Sequence, residues 1–466
     1  MTAWTPRLRS GGGTKQRQLT DAIVADIERG ALPLGTRLPP QRELADRLGL
    51  SVQTVGASYK EAERRGYLRG EVGRGTFVRS RGSERAVRYM LDRSDEDIAD
   101  LSIVRAVYTE RHEQASRVLL RAMAEDDNSL WMRPCRPVAG SDRHREAGQA
   151  WLSGLGLTVG AEQILLTGGA AQGVFVALAT VVKPGDVVLT EALTDHGVIG
   201  LASVLGFTLR GLPTDAEGIV PEAFAAACAA GSVKALVCIP SFGNPARYLA
   251  GAVRREEIAR IAGRHGVFVI EDEVYRPLLA EDLPSITSFI PELGFFATSF
   301  TKSVMTGLRV GYLAVPQRFA IRAVSVLRVS AWSAAPILGE MAARWLADGT
   351  AAALLEIQRA ALAERQALAH GILGEAVAFH HPHAPSVWVS VPRHWTEEGL
   401  VRELLARGVA VAPSEPFLAG AAGEERGIRL CLGGRFSPER LAAALATVRR
   451  TIGQAAPVHE IGAVGA

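Results

Sequence analysis

From residue 160 onward the sequence repeats one pattern. Short apolar runs, QILLTGG, GDVVLTE, VKALVCIPS, GVFVIEDE and GFFATSF, alternate with helical stretches such as AAQGVFVALATVV and RREEIARIAGRHG. Runs that are apolar at successive positions put apolar side chains on both faces of a strand, so both faces must be covered. Strands alternating with helices meet that demand as a mostly parallel sheet with helices packed over it. A chain of 466 residues, 48% hydrophobic and 22% charged, has enough material for such a core and for a further domain. Downstream, AARWLADGTAAALLEIQRAALAERQALAHGIL reads as the long helices of a smaller C-terminal subdomain.

In open parallel sheets ligands bind beyond the carboxyl ends of the strands, and this chain places polar residues there. LTGGAAQG can turn the backbone N–H groups of Gly169, Ala170 and Ala171 toward an anion at a helix N-terminus. CIPSFGNP carries Asn244, VIEDEVYRPL carries Asp272 and Tyr275, and SFTKSVMTGLRVG carries Ser299, Lys302 and Arg309. GIRLCLGG buries Arg429 in an apolar strand, where an unpaired charge is costly. Each motif alone has a plainer use: a glycine turn, a solvated acidic loop, a structural salt bridge. Together they make one chemical set. A lysine amine forms an imine with an aldehyde cofactor. An aspartate keeps a pyridine nitrogen protonated, a phenol and a carboxamide hold the ring's phenolic oxygen, and serine, arginine and glycine N–H groups hold a phosphate. A second arginine holds a substrate carboxylate. That set suits pyridoxal phosphate.

The N-terminal 85 residues differ in character. They hold 16 Lys/Arg against 9 Asp/Glu, a balance of +7 in a chain of net charge +3, so the remainder carries −4. A basic head on a mildly acidic body points to a polyanionic partner. LTDAIVADIERG places Leu19, Ile23, Val24 and Ile27 on one helical face; QRELADRLG forms a second helix, and Ser51 caps a third running from about Val52 to Gly66. Two β-prone stretches, Tyr67–Arg69 and Thr76–Val78, flank a Gly-Arg-Gly tip. This is the order of a winged helix-turn-helix, whose third helix enters the major groove of double-stranded DNA. Ser51, Gln53, Thr54 and Ser58 are the candidate groove contacts, with Arg42 on a phosphate and Arg74 at the wing tip.

Residues Leu19 to Val78 resemble the GntR-type winged helix through GALPLGTRLPPQRELADRLGLSVQTV and GRGTFV. One departure is Val52, where that family often has arginine, so its operator preferences do not transfer. From about Asp100 to Ile452 the chain resembles the fold-type-I aminotransferases. That resemblance implies Lys302 as the Schiff-base lysine of pyridoxal 5'-phosphate and Asp272 as its pyridinium partner. Tyr275 and Asn244 would meet the phenolic oxygen, and Ser299, Arg309 and the Gly169–Ala171 backbone the phosphate. Arg429 would take the carboxylate of an amino-acid-like ligand. In TEALTDHG, Asp195 falls where the family usually stacks an aromatic residue on the ring, with His196 beside it. A carboxylate there would weaken cofactor retention, impair transamination or favour an effector with a second cationic group.

Both resemblances on one chain are those of the MocR-type subfamily of GntR regulators. The expected organisation is a winged helix over 15–79, a linker over 80–98, a sensing domain over 99–455 and a flexible tail over 456–466. The expected function is transcriptional regulation by a homodimer that senses an amine or amino-acid-like effector by aldimine exchange at Lys302. The alternatives are an active aminotransferase, a body that has lost its cofactor, and a sensor of the cofactor itself. Cys135, Cys228, Cys238 and Cys431 form no CxxC pair, and FHHPHAP reads as a loop rather than a metal site. MTAWTPRLRSGGG lacks the apolar core of a signal peptide, and no apolar run is long enough to span a bilayer, so a cytoplasmic protein without a membrane partner is expected.

Overall fold

The computed structural model describes residues 4–6, 14–28, 32, 36–64, 67–71, 75–78, 97–126, 137–419 and 426–455. Arg74, the bulk of the expected linker, the tail over 456–466 and Cys135 lie outside them. The chain divides into two compact units, Met1–Arg88 and Tyr89–Ala466.

The first unit contains α1 (Lys15–Glu28), α2 (Gln41–Leu48), α3 (Val52–Arg64) and a hairpin of β1 (Leu68–Glu71) and β2 (Gly75–Val78). Leu19 and Ile23 of α1, Leu44 and Ala45 of α2, and Val55, Tyr59 and Ala62 of α3 close one core with Leu68 and Val78. In α1 and α3 the three- and four-residue spacing keeps each set on one face of its helix. The α2 helix begins after Pro40 and ends at Gly49, whose φ of 63° is a left-handed cap that glycine adopts without strain. The Tyr59 hydroxyl donates to Pro39 O at 2.9 Å and ties α3 to the segment leading into α2.

The second unit is built on a seven-stranded sheet of order β4-β12-β11-β10-β9-β5-β6. The strands are β4 (Ile164–Thr167), β5 (Val187–Glu191), β6 (Thr208–Leu212), β9 (Val233–Cys238), β10 (Phe268–Asp272), β11 (Gly294–Ser299) and β12 (Gly311–Ala314); β7 (Thr214–Asp215) and β8 (Gly218–Ile219) form a separate small hairpin. From β6 to β11 all pairs are parallel, as the doubly apolar runs require. Only β12 reverses, running antiparallel to both β11 and β4. The reversal brings the start of β12 beside the ends of its neighbours, with Gly311 opposite both Ser299 and Thr167. The helix Ala170–Val181, apolar nearly all round, is buried against the sheet through Val174, Ala177, Leu178 and Val181.

A smaller subdomain packs around Leu400, Leu404, Ile428, Leu430, Leu445 and Val448. Its sheet has the order β13-β16-β15, with β13 (Ser386–Ser390), β15 (Ala412–Pro413) and β16 (Gly427–Cys431), and the 24-residue helix Thr350–Leu373 leads into it. The pair β3 (Ala99–Asp100) and β14 (Val409–Ala410) joins the two ends of the unit in sequence. No helix among the described residues is long and apolar enough to cross a membrane.

Candidate functional site

Strands β4, β5, β9, β10 and β11 all end at one edge of the sheet, and β12 begins there. Lys302 sits just past β11, half-buried, its Nζ donating to Val104 O at 2.6 Å. Burial, reinforced by the Arg429 charge, pushes the amine down to about 8. An appreciable fraction is therefore neutral and nucleophilic near physiological pH. Asp272 closes β10 and accepts from Val274 N at 3.2 Å. Burial and then the Asp195 charge push its carboxyl up to about 8, so it favours the protonated form until a cation arrives beside it.

The run IEDE owes its layout to strand periodicity. Residues two apart share a face, so Glu271 and Glu273 turn away from Asp272. Both are fully buried with Arg255, whose Nη1 lies 2.6 Å from Glu273 and 3.6 Å from Glu271. Glu271 also accepts from Ile286 N, Thr287 N and the Thr287 hydroxyl. The acidic run is thus a buried support, not a solvated loop, and Asp272 is the member that faces the site.

Asn244 is held from both sides. Its Nδ2 donates to Asp195 Oδ2 at 2.8 Å, and its Oδ1 accepts from Arg429 Nη1 at 2.6 Å. Arg429, buried in β16, also donates from Nη2 to Ser102 O at 2.7 Å and lies 4.7 Å above the Phe417 ring. Asp195 caps the helix His196–Leu205 by accepting from Gly197 N at 2.8 Å. Both its oxygens are therefore already engaged, one by a backbone cap and one by Asn244. His196 lies edge-on to Phe417, ring centres 5.8 Å apart. Tyr275 is buried; burial raises its hydroxyl, while the Arg247 and Arg429 charges pull the other way.

The phosphate candidates form a cradle. Gly169, with φ of 102°, starts the helix Ala170–Val181 with no side-chain cap, leaving the first N–H groups of that helix unused by a cap. A Cβ on Gly169 would lie 3.5 Å from Arg309 Nη2 and 3.7 Å from Thr301 Oγ1. A Cβ on Gly311 would come within 2.5 Å of Thr298 O and 2.9 Å of Gly169 Cα, so only glycine lets these three strands close under the turn. Arg309 holds a left-handed φ of 48°, a strained choice for an arginine that aims it at Gly168 O, 3.4 Å away. Ser299 is buried beneath, accepting from Thr301 N at 3.3 Å. The Thr301 hydroxyl is buried without a hydrogen-bond partner. A buried hydroxyl without a partner, an arginine and a capless helix N-terminus fit an anionic oxygen cluster such as a phosphate.

Four contributors escaped sequence reasoning: Thr301, Phe417, the Ser102–Val104 backbone and Arg247. Arg247 is buried, donates from Nε to Ser386 Oγ at 2.7 Å and from Nη1 to Phe242 O, and stacks 4.9 Å over the Tyr275 ring. It links the Asn244 loop, Tyr275 and the smaller subdomain. A charged residue two positions past Asn244-Pro245 was the available signal, the same one that marked Arg429.

In the first unit, Arg42, Ser51 and Gln53 are exposed and Thr54 is partly so. Ser51 caps α3, its Oγ accepting from Thr54 N at 3.1 Å and lying 2.8 Å from the Thr54 hydroxyl. Ser58 must be corrected as a candidate DNA contact. It is fully buried, and its hydroxyl donates to Thr54 O at 2.8 Å and Gln16 O at 3.0 Å, fastening α3 to α1.

Comparison with known proteins agrees with both units. Residues 96–448 match the family model for aminotransferase class I and II, and residues 15–78 match that for bacterial regulatory proteins of the gntR family. The chain is 28% identical over 459 residues to the HTH-type transcriptional regulator YdeF of Bacillus subtilis, covering 97% of each protein. It is 26% identical over 381 residues to the probable rhizopine catabolism regulatory protein MocR of Rhizobium meliloti, covering 75% of each. The crystal structure of an archaeal alanine:glyoxylate aminotransferase superimposes with a TM-score of 0.72 at 20% identity, covering 85% of this chain and 99% of that one, a likeness of fold. The chain belongs to the class I and II aminotransferase family and, through its GntR helix-turn-helix head, to the MocR-type transcriptional regulators.

Proposed function

We propose that this regulator binds pyridoxal 5'-phosphate at the sheet edge and senses an amine or amino-acid-like effector there. The observation that carries the reading is the meeting, at one edge, of a lysine amine lowered to about 8 and an aspartate, beside a cradle with an unpartnered hydroxyl. When bound, the cofactor supplies an aldehyde carbon and a ring that withdraws electrons. Lys302 would hold the aldehyde carbon and yield it to an effector amine. Asp272 would keep the ring nitrogen protonated, with Tyr275 and Asn244 at the phenolic oxygen. Ser299, Thr301, Arg309 and the Gly169–Ala171 N–H groups would hold the phosphate, and Arg429 would orient the effector's acid group. Effector binding regulates only to the extent that it favours one setting of the body over another. The head would bind an operator in double-stranded DNA through the N-terminal part of α3, and the body would form a homodimer.

The test is a visible absorption spectrum after incubation with pyridoxal phosphate and desalting, repeated on Lys302→Ala and then with a panel of amines. The reading expects a yellow band in the wild type, its loss in the variant and a shift with one class of amine. A colourless wild type sinks it. Formation of a keto acid from an amino donor would favour an enzyme instead.

A further inference from the structure

We infer that the segment Ala99–Val107 reports occupancy of the site to the chain that leads to the DNA-binding head. The inference rests on the cofactor reading above and adds the route by which a filled site is felt elsewhere. Two principal cations of the site, Lys302 and Arg429, both donate to backbone carbonyls of this one segment, at Val104 O (2.6 Å) and Ser102 O (2.7 Å). Val104 and Ser102 are buried, at 3% and 2% exposure, so bulk water does not replace a lost partner. In chain order, the segment follows residues 79–96, which connect it to the head.

The rest of the segment is pinned on either side of these two carbonyls. Ala99 N and Leu101 N donate to Gly408 O and Ala410 O at 2.8 Å, and Cys431 N donates to Leu101 O at 2.8 Å. Beyond them, Ala106 N donates to the Thr306 hydroxyl at 2.9 Å and Val107 N to Gln358 Oε1 at 2.7 Å. Ser102 N is held by Asp100 Oδ1 at 3.0 Å, and Asp100 is paired with Arg105 at 3.0 Å. The stretch over 102–104 is therefore a taut span, and its Ser102 and Val104 carbonyls accept from the two groups that a ligand would claim.

Claiming them undoes the span. A lysine nitrogen that has condensed with an aldehyde, the carbonyl oxygen leaving as water, is no longer an ammonium donor to Val104 O, and an arginine turned to a ligand carboxylate weakens its hold on Ser102 O. Each change leaves a buried carbonyl short of a charged donor, which a fixed backbone does not tolerate. The span then moves, and it pulls on the Ala99–Leu101 anchor through which it joins the preceding chain. By linkage the coupling is reciprocal: whatever holds the segment in place resists filling of the site.

Hydrogen exchange on the full-length chain tests this, read at the amides of Leu101, Ser102, Ala106 and Val107. The β10 amides of Val269 and Ile270 serve as folding controls. Lys302→Met and Arg429→Met, each without added cofactor, should speed exchange in the segment about tenfold or more, the equivalent of one lost charge-assisted bond, with the controls unchanged. Wild type loaded with pyridoxal phosphate alone, which engages Lys302, should behave like Lys302→Met, and adding an amino acid, which frees Lys302 and turns Arg429, should make it behave like Arg429→Met. Full segment protection in Lys302→Met with intact controls overturns the inference, as does full protection in the loaded wild type. A wild type that takes up no cofactor defeats the cofactor reading alone, and the two variants still decide this one.

Discussion

Replacing Asp272 with asparagine should stabilise the empty body and weaken the filled one. The Asp272 carboxyl is pushed up to about 8 in the fold, chiefly by burial and next by Asp195, with Glu273 and Glu191 adding to the rise. In the unfolded chain it titrates near about 3.9. Between those values the folded chain keeps a proton that the unfolded chain has released, so the folded state loses stability as pH rises from about 4 to about 8 and no further above that. At pH 7 the gap of about three pKa units sets a ceiling of about 4 kcal/mol. The carboxyl is only partly buried, and solvent screening brings the expected gain in Asp272→Asn to about 1–2 kcal/mol. Spread over so large a body, that is a rise of about 1–3 °C in the melting midpoint. The assay is thermal melting of both proteins from pH 5 to 9, empty and loaded with pyridoxal phosphate. The difference should grow up to about pH 8 and then flatten. On loading, the wild type should gain more than the variant, because only a carboxylate pairs with a protonated ring nitrogen. An empty variant that melts at or below the wild-type midpoint throughout, with the same pH slope, refutes the reasoning.

Arg247→Met should lower the melting midpoint of the body by the equivalent of about 1–3 kcal/mol, because it strips the donors from Phe242 O and Ser386 Oγ while keeping most of the packing over Tyr275. Arg247→Lys should recover only part, since an ammonium cannot reproduce the flat fork. In the head, Arg42→Ala should reduce the salt dependence of binding to a duplex by about one phosphate contact, read as the slope of log affinity against log salt. Ser58→Ala should leave that slope unchanged and instead destabilise the head by about 1 kcal/mol, read by chemical denaturation.

What could be read in advance, and what could not, follows from where the determining contacts lie. Lys302, Asp272, Asn244 and Arg429 were visible because each breaks a local rule at a strand end or inside an apolar strand. The relative placement of Lys302, Asp272 and Asn244 needed only the parallel sheet, which brings strand ends to one edge, whereas Arg429 arrives from β16 of the smaller subdomain. Arg247 was hidden because its partner Ser386 is 139 residues away and Tyr275 lies in another loop. Asp195 was placed near the cofactor position, but its double engagement depends on Asn244, 49 residues on. Ser58 was a different failure. It lies three residues after Val55 and four before Ala62, on the inward face of α3, and tracking that helical period would have turned it inside.

The pairing of β3 with β14 has a consequence for how the chain is made. The described contacts of the head all fall within its first 78 residues, so its core can close once that stretch has left the ribosome. The segment after it cannot. Its partners Gly408, Ala410 and Cys431 are synthesised more than 300 residues later. Long-range closures of this kind are slow and come late. For much of its synthesis, then, the nascent protein carries a finished DNA-reading module joined to an unfinished sensor.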